Sequence, residues 1–269
     1  MTNLRFFKVV GSGNDFILVD QRRRSPLANP SLVAKAWCDR KQGIGADGLL
    51  VLLPSAKADA RMRIFNPDGS EAEMCGNGLR CLAWFLHTQN RRKTLSIETR
   101  AGLMQAQIVG PGQVRTYLVH PKKLRLGLSL RHRGKRYQVH AVNTGVPHAV
   151  LLVSHLERMD LVSLGPAIRF HRAFRPAGTN VDLVRIDSPH RISIRTYERG
   201  VEAETLACGT GAVASTVIGT ALGKLQPPVR VMTTGGEYLT VGFHQKRRPW
   251  EELYLEGPAQ ILFGGGMPL

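Results

Sequence analysis

The sequence predicts an α/β (α+β) fold of two pseudo-symmetric lobes, on three observations. The stretch GSEAEMCGNG, which contains Cys75, returns as GVEAETLACGTG around Cys208, almost half the chain length away. Upstream of each copy a strand-like segment enters a turn, RMRIFNPDG in the first and RISIRTYERG in the second. The 28 glycines in 269 residues imply many tight turns, and strand-like runs alternate with only a few helical ones.

Taken in order, LRFFKVV and DFILVD read as strands around the turn GSGN. NPSLVAKAWCDR reads as a helix, with Asn29 or Ser31 as its cap and Pro30 in its first turn. DGLLVLLP and ARMRIFN are strands, NPDGS is a turn, and LRCLAWFLHTQN has helical spacing. TLSIETRAGLMQAQIVGPGQVRTYLV supplies further strands with Gly-containing turns. In the second half AVLLVSHLERM, NVDLVRIDSPHRISIRTYERG and VMTTGGEYLTVGFHQ are strand and turn material around an uncharged helix after Cys208. The basic stretch at 120–136 falls midway, where a boundary is expected. The N-terminal lobe is placed at 1–119, with 259–269 returning to it, and the C-terminal lobe at 120–258.

The net charge of +17 is the one abnormal global number. Its dense groups, at 22–24, 91–93, 120–136 and 246–248, read as solvated loops. None forms a basic helix face, and aromatics are only 6%, so nucleic acid is not the expected partner. Leu206–Gly223 carries no charge, but it is built of small residues and fits an enclosed core helix better than a membrane span. Four cysteines without a secretory leader point to a reducing, cytoplasmic setting, and their spacing offers no metal site.

A Cys-Gly-x-Gly turn opening a helix supports a particular chemistry. Its unpaired N–H groups and partial positive charge receive an anion, a carboxylate as well as a phosphate. The same field is expected to lower the pKa of the thiol beside it. No Gly-x-x-x-x-Gly-Lys-Ser/Thr run is present, and GSGNDF lacks the third glycine of a dinucleotide fingerprint. A cysteine protease needs one thiol and does not explain two matched ones. Two opposed thiols suggest inversion at a carbon: one, as thiolate, removes an α-proton while the other, as thiol, returns a proton on the opposite face. The carbanion then depends on the oriented N–H groups of both helix starts.

GSGNDF, GIGADG, FNPDGSEAEMCGNGLRC, NTGVPHAV, TNVD, TYERGVEAETLACGTGA and LEGPAQILFGG occur in that order and together span essentially the whole chain. In these motifs the sequence resembles the diaminopimelate epimerase family. The resemblance implies an isomerase that interconverts LL- and meso-diaminopimelate without pyridoxal phosphate, any other cofactor or a metal, in lysine and peptidoglycan precursor biosynthesis. It also implies that each lobe is a β-barrel-like sheet around a central helix, that the active site lies in the cleft between lobes, and that the protein is a cytoplasmic homodimer.

By position, the resemblance makes Cys75 and Cys208 the acid/base thiols, with His148 and Glu198 beside the reacting centre. It makes Asn14, Asn66, Asn180 and Arg199 the groups that fix the substrate's amino and carboxylate groups. Gly76 with Asn77, and Gly209 with Thr210, supply the helix-start N–H groups. Val146 stands where the family often has asparagine, and Asn143 is the nearest substitute for that contact. Two alternatives remain open: an epimerase or racemase of another amino acid on the same scaffold, and a basic nucleic-acid-binding protein.

Overall fold

The computed structural model describes residues 3–23, 27–244 and 250–268. Arg24 of the 22–24 basic group and the group at 246–248 lie outside the described residues. The chain divides into two units, Met1–Tyr117 with Glu256–Leu269, and Leu118–Leu255.

In the first unit, β1 (Asn3–Gly11) runs antiparallel to β2 (Asn14–Asp20). The turn between them holds Ser12 and Gly13 at φ 51 and 80. A crossover through α1 (Pro30–Cys38) brings β3 (Gly48–Leu53) parallel to β2. Asn29 caps α1 by accepting the Leu32 N–H, and Pro30 costs nothing at the first helical position because its missing N–H has no helical partner there. β4 (Ala60–Phe65) returns antiparallel and turns into the two-residue β5 (Glu71–Ala72).

Next comes α2 (Gly76–Asn90), then β6 (Thr94–Thr99), parallel to β4. β7 (Gly102–Gly110) and β8 (Gln113–Tyr117) follow as antiparallel neighbours. Leu79, Leu82 and Leu86, spaced for one helix face, join Leu50, Met62, Ile64, Leu95 and Ile97 in one core cluster. Each such leucine stabilises the unit by about 2 kcal/mol.

In the second unit, β9 (Lys122–His132) and β10 (Lys135–Asn143) form a hairpin over Arg133 and Gly134, both at positive φ. β11 (Pro147–Leu152) is antiparallel to β10. A crossover containing α3 (Leu161–Arg169) brings β12 (Asn180–Ser188) parallel to β11. β13 (Arg191–Glu198) and the short β14 (Ala203–Thr205) lead into α4 (Gly209–Ala221). β15 (Val229–Met232) then runs parallel to β13, with β16 (Tyr238–His244) antiparallel to it. β17 (Glu251–Pro258) is followed by β18 (Gln260–Pro268), which pairs antiparallel with β1. Every residue of α4 from Gly211 to Gly219 is buried, as its small uncharged side chains allow.

The duplication therefore extends well beyond the cysteine motif. Each unit contains an antiparallel pair, a helical crossover to a parallel strand, an antiparallel return, a short strand, a cysteine and a helix. In each, the strand after that helix lies parallel to the strand that preceded the turn.

Two features differ from the sequence reading. The charges at 120–136 lie on a β-hairpin and not on a loop, because Leu124, Leu126, Leu128 and Leu130 alternate with polar or small residues at the strand period. Helix α3 forms between AVLLVSHLERM and NVDLVRID, in a stretch for which the sequence reading named no element. Gly165 and Pro166 in its middle obscure the helical pattern, yet Asp160 caps it through the Ser163 N–H and Gly165 lets it close onto the Tyr197 ring. As expected, the uncharged run after Leu206 forms a buried helix, of 13 residues, and no described helix is long and apolar enough to cross a membrane.

Candidate active site

Cys75 ends the turn after β5 and serves as the N-cap of α2, with φ −141 and ψ 120. Its sulfur accepts the Gly78 N–H at 3.5 Å. Gly76 and Asn77 form the first turn, whose N–H groups have no intrahelical acceptor and form the positive end of the helix. A Cβ placed on Gly76 meets nothing within 4 Å, so that side of the turn is open. A Cβ on Gly78 would lie 2.9 Å from the Leu50 side chain, so this second glycine serves helix–sheet packing.

Behind this turn runs a chain of polar groups. Asn77 donates to Asn14 Oδ1 at 2.6 Å, and Asn14 donates to Asp47 at 3.0 Å. Arg80, fully buried one helical turn further on, donates to Asn77 Oδ1 at 2.5 Å and to the Ser12 hydroxyl at 2.7 Å. Arg40 bridges Asp15 and Asp47, and Lys8 also pairs with Asp15. Burial pushes the Asp15 carboxyl up, but its bonds to Arg40 and Lys8 outweigh that and hold it at about 2. Asn14 and Asn77 are thereby fixed in orientation. Asn66 has other partners: it is exposed, and its amide donates to the Ser70 hydroxyl at 2.9 Å to close the NPDGS turn.

Arg80 and Asp47 were not singled out from sequence. The available signal was an arginine inside the apolar helical run GLRCLAWFL, one turn past Asn77.

In the second unit Cys208 is the N-cap of α4, with φ −127 and ψ 104. Its sulfur lies 3.4 Å from the Thr210 hydroxyl, which lies 2.9 Å from His148 Nε2. His148 Nδ1 is 2.7 Å from Asp182 Oδ2, and the Thr196 hydroxyl donates to Asp182 Oδ1 at 2.7 Å. β11 and β12 pair His148 with Asn180, and Asp182, two residues on, shares a sheet face with Asn180. The side chains of His148 and Asp182 are both fully buried.

Asn180 has both ends of its amide engaged within the protein. Its oxygen accepts the Arg199 N–H at 2.8 Å and its nitrogen donates to Pro147 O at 3.0 Å. It thus holds the turn that presents Arg199, whose guanidinium reaches Ala177 O at 3.3 Å. Asn143 closes its own turn by accepting the Gly145 N–H at 2.9 Å, just before the half-buried Val146.

The two glycines of this turn also have structural neighbours. A Cβ on Gly209 would lie 2.8 Å from the Leu255 side chain. One on Gly211 would lie 2.5 Å from Asp182 Oδ1, so this position is reserved for the carboxylate behind the helix.

Burial pushes the Cys208 thiol up, and the Glu198 and Asp182 carboxylates add to it. This reverses the expectation that the helix start alone would lower it. A helix terminus contributes about 0.3–1 kcal/mol, under one pKa unit, which burial and two carboxylates exceed. Cys208 therefore rests as the thiol. Cys38 and Cys81, packed in the core, are pushed by burial to about 11 and about 12.

Glu198, at the end of β13, is also pushed up by burial. Its protonated form is favoured in the folded state, so the folded protein loses stability as pH rises from the unfolded carboxyl pKa of about 4.5 through the higher folded value. Glu198→Gln is expected to melt higher than the parent at pH 7–8, with the difference vanishing below about pH 4. Melting scans across this range check it, and equal melting temperatures at pH 8 would contradict it.

A family model described as diaminopimelate epimerase matches residues 6–124 and 140–262. The chain belongs to the diaminopimelate epimerase family. Among the family's members, the diaminopimelate epimerase of Chlorobaculum tepidum is 41% identical over 263 residues, covering 96% of this chain and 99% of that one. That of Methanothrix thermoacetophila is 42% identical over 280 residues, covering 98% and 96%. The family scaffold extends to more distant solved structures. A PhzF-family phenazine biosynthesis protein from Bacillus anthracis aligns with TM-score 0.77 at 16% identity over all of both chains. A hydroxyproline epimerase from Agrobacterium vitis aligns with TM-score 0.71 at 18% identity, covering 99% of this chain and 91% of that one. At these identities the likeness is one of fold: mixed α/β, mostly strands, with four α-helices among the described residues.

Proposed function

We propose that this chain epimerises LL-diaminopimelate to meso-diaminopimelate without a cofactor, using Cys75 and Cys208 as its acid/base pair. The observation that carries the reading is the matched pair of cysteine N-caps, each opening a helix through a Cys-Gly-x-Gly turn in the same local topology. One cysteine, as thiolate, takes the α-proton while the other, as thiol, delivers a proton to the opposite face, and the roles exchange in the reverse direction. The N–H groups at Gly76, Asn77, Gly209 and Thr210 stabilise the substrate carboxylate and the charge that develops on it. Asn14 and Asn77, held by Arg80 and Asp47, present fixed polar groups to the substrate, and Arg199 binds a carboxylate. Asn66 is assigned to substrate binding, whereas Asn180 acts through the turn that carries Arg199. Glu198 and His148 set the protonation of the reacting centre. The reaction belongs to lysine and peptidoglycan precursor biosynthesis.

The test is incubation of the reduced protein with LL-diaminopimelate in deuterated water. Formation of the meso isomer with deuterium at the inverted α-carbon is expected. Activity confined to a different amino acid would keep the chemistry and replace the substrate, a second reading that Val146 favours by removing a polar group. Absence of α-exchange with every amino acid in a panel would overturn both.

A further inference from the structure

The groups around Cys208 form a directed chain of hydrogen bonds. Asn180 sets its direction. Its oxygen is occupied by the Arg199 N–H and its nitrogen donates to Pro147 O, which fixes the orientation of the amide. The same nitrogen lies 3.5 Å from His148 Nε2, so Nε2 faces a donor and carries the lone pair. The other ring nitrogen, Nδ1, then carries the hydrogen and donates to Asp182 Oδ2. Both oxygens of Asp182 are engaged, since Thr196 donates to the second one. With Nε2 as acceptor, the single hydroxyl proton of Thr210 points to it, and the Thr210 oxygen is left to accept from the Cys208 S–H. Every donor in the series points away from sulfur and towards the carboxylate.

We infer that Asp182 and Thr210 are positioning residues that couple the Cys208 thiol to His148, forming the route by which Cys208 loses and regains its proton. When Cys208 becomes the base, the S–H bond breaks as its proton passes to the Thr210 oxygen. The Thr210 O–H proton passes in turn to His148 Nε2. The product is a thiolate and an imidazolium, the latter held by the Asp182 carboxylate, with no proton gained or lost overall. When Cys208 is next protonated, the same steps run backward. The close fit of Gly211 against Asp182 holds the carboxylate in place, since any side chain at 211 would displace it. The inference rests on the acid/base reading of Cys208 given above.

Two roles for Asp182 predict opposite outcomes, which makes the test decisive. The charged and titratable groups around Cys208 in its unit are Asp182 on β12, His148 on β11 and Glu198 on β13. If Asp182 acts on Cys208 only through its charge, Asp182→Asn removes a repelling anion and Cys208 becomes more reactive. If it acts through His148, the same change weakens the acceptor at the end of the chain and Cys208 becomes less reactive.

The measurement is the alkylation rate of each cysteine by iodoacetamide, followed by mass spectrometry from pH 6 to 10 on the full-length protein. Asp182→Asn and Thr210→Val are each expected to slow Cys208 alkylation at pH 7 by about tenfold, the equivalent of one pKa unit. Cys75 should be unaffected, and Thr210→Ser should restore the Cys208 rate to within about threefold. Faster or unchanged Cys208 alkylation in Asp182→Asn would overturn the inference, as would an unchanged rate in Thr210→Val. Should Asp182→Asn fail to fold, the Thr210 pair decides alone. Failure of the underlying reading shows separately, as epimerisation that survives loss of the Cys208 thiol.

Discussion

Cys208→Ala is expected to cost about 10³–10⁴-fold in kcat/KM for epimerisation while the protein stays folded. The substitution removes the reacting group and its contact with the Thr210 hydroxyl, but no N-cap bond, and the change in volume is small. Cys75→Ala is expected to cost as much in rate and slightly more in stability, since Cys75 also accepts the Gly78 N–H. That bond is long and sulfur is a weak acceptor, so the loss should fall at the low end of the 0.5–2 kcal/mol range for an N-cap. The double variant should be little worse than either single one, because two groups that act as a unit do not contribute additively. Steady-state rates with LL-diaminopimelate, alongside melting temperatures, check all three. A single variant that keeps a tenth of the parent rate would sink the two-thiol assignment.

Arg80→Ala is expected to destabilise the first unit by about 3–5 kcal/mol, combining a cavity with acceptors stripped of their donor. Arg80 is completely buried on α2 and donates to both Asn77 and Ser12. Without it the Asn77 amide is free to rotate away from Asn14, so KM should rise about tenfold with a smaller effect on kcat. Arg80→Met, which restores most of the volume and none of the donors, should recover part of the stability and leave KM raised. Calorimetry and substrate saturation curves separate these effects. An Arg80→Ala protein with the parent melting temperature and KM would refute the assigned role.

What the sequence made legible follows from which signals are local. The cysteine N-caps, Asn29 at the start of α1 and the NPDGS turn depend on neighbours within a few residues, and each could be read directly. Helix α3 was hidden because Gly165 and Pro166 weaken a pattern that is rescued by Asp160 and by contact with Tyr197, a residue distant in sequence. Asp182 was invisible for the same reason. Within TNVD it is one acidic residue in a strand, and only the pairing of β11 with β12 places it against His148. The second glycine of each Cys-Gly-x-Gly turn has a packing role that the motif alone does not show. Gly78 is crowded by Leu50 and Gly211 by Asp182, neighbours distant in sequence.

The two units share a topology but not a charge. The first sets a guanidinium, Arg80, behind its cysteine turn; the second sets a carboxylate, Asp182, behind its own. A freshly duplicated gene would have encoded the same charge twice, leaving neither thiol favoured to hold the proton. Two coupled acid groups can hold a single proton between them whether or not they are equivalent, and unequal surroundings set which of the two holds it at rest. Divergence of the polar groups beneath a retained backbone is therefore where a repeated module acquired two unlike ends, a guanidinium behind one cysteine turn and a carboxylate behind the other.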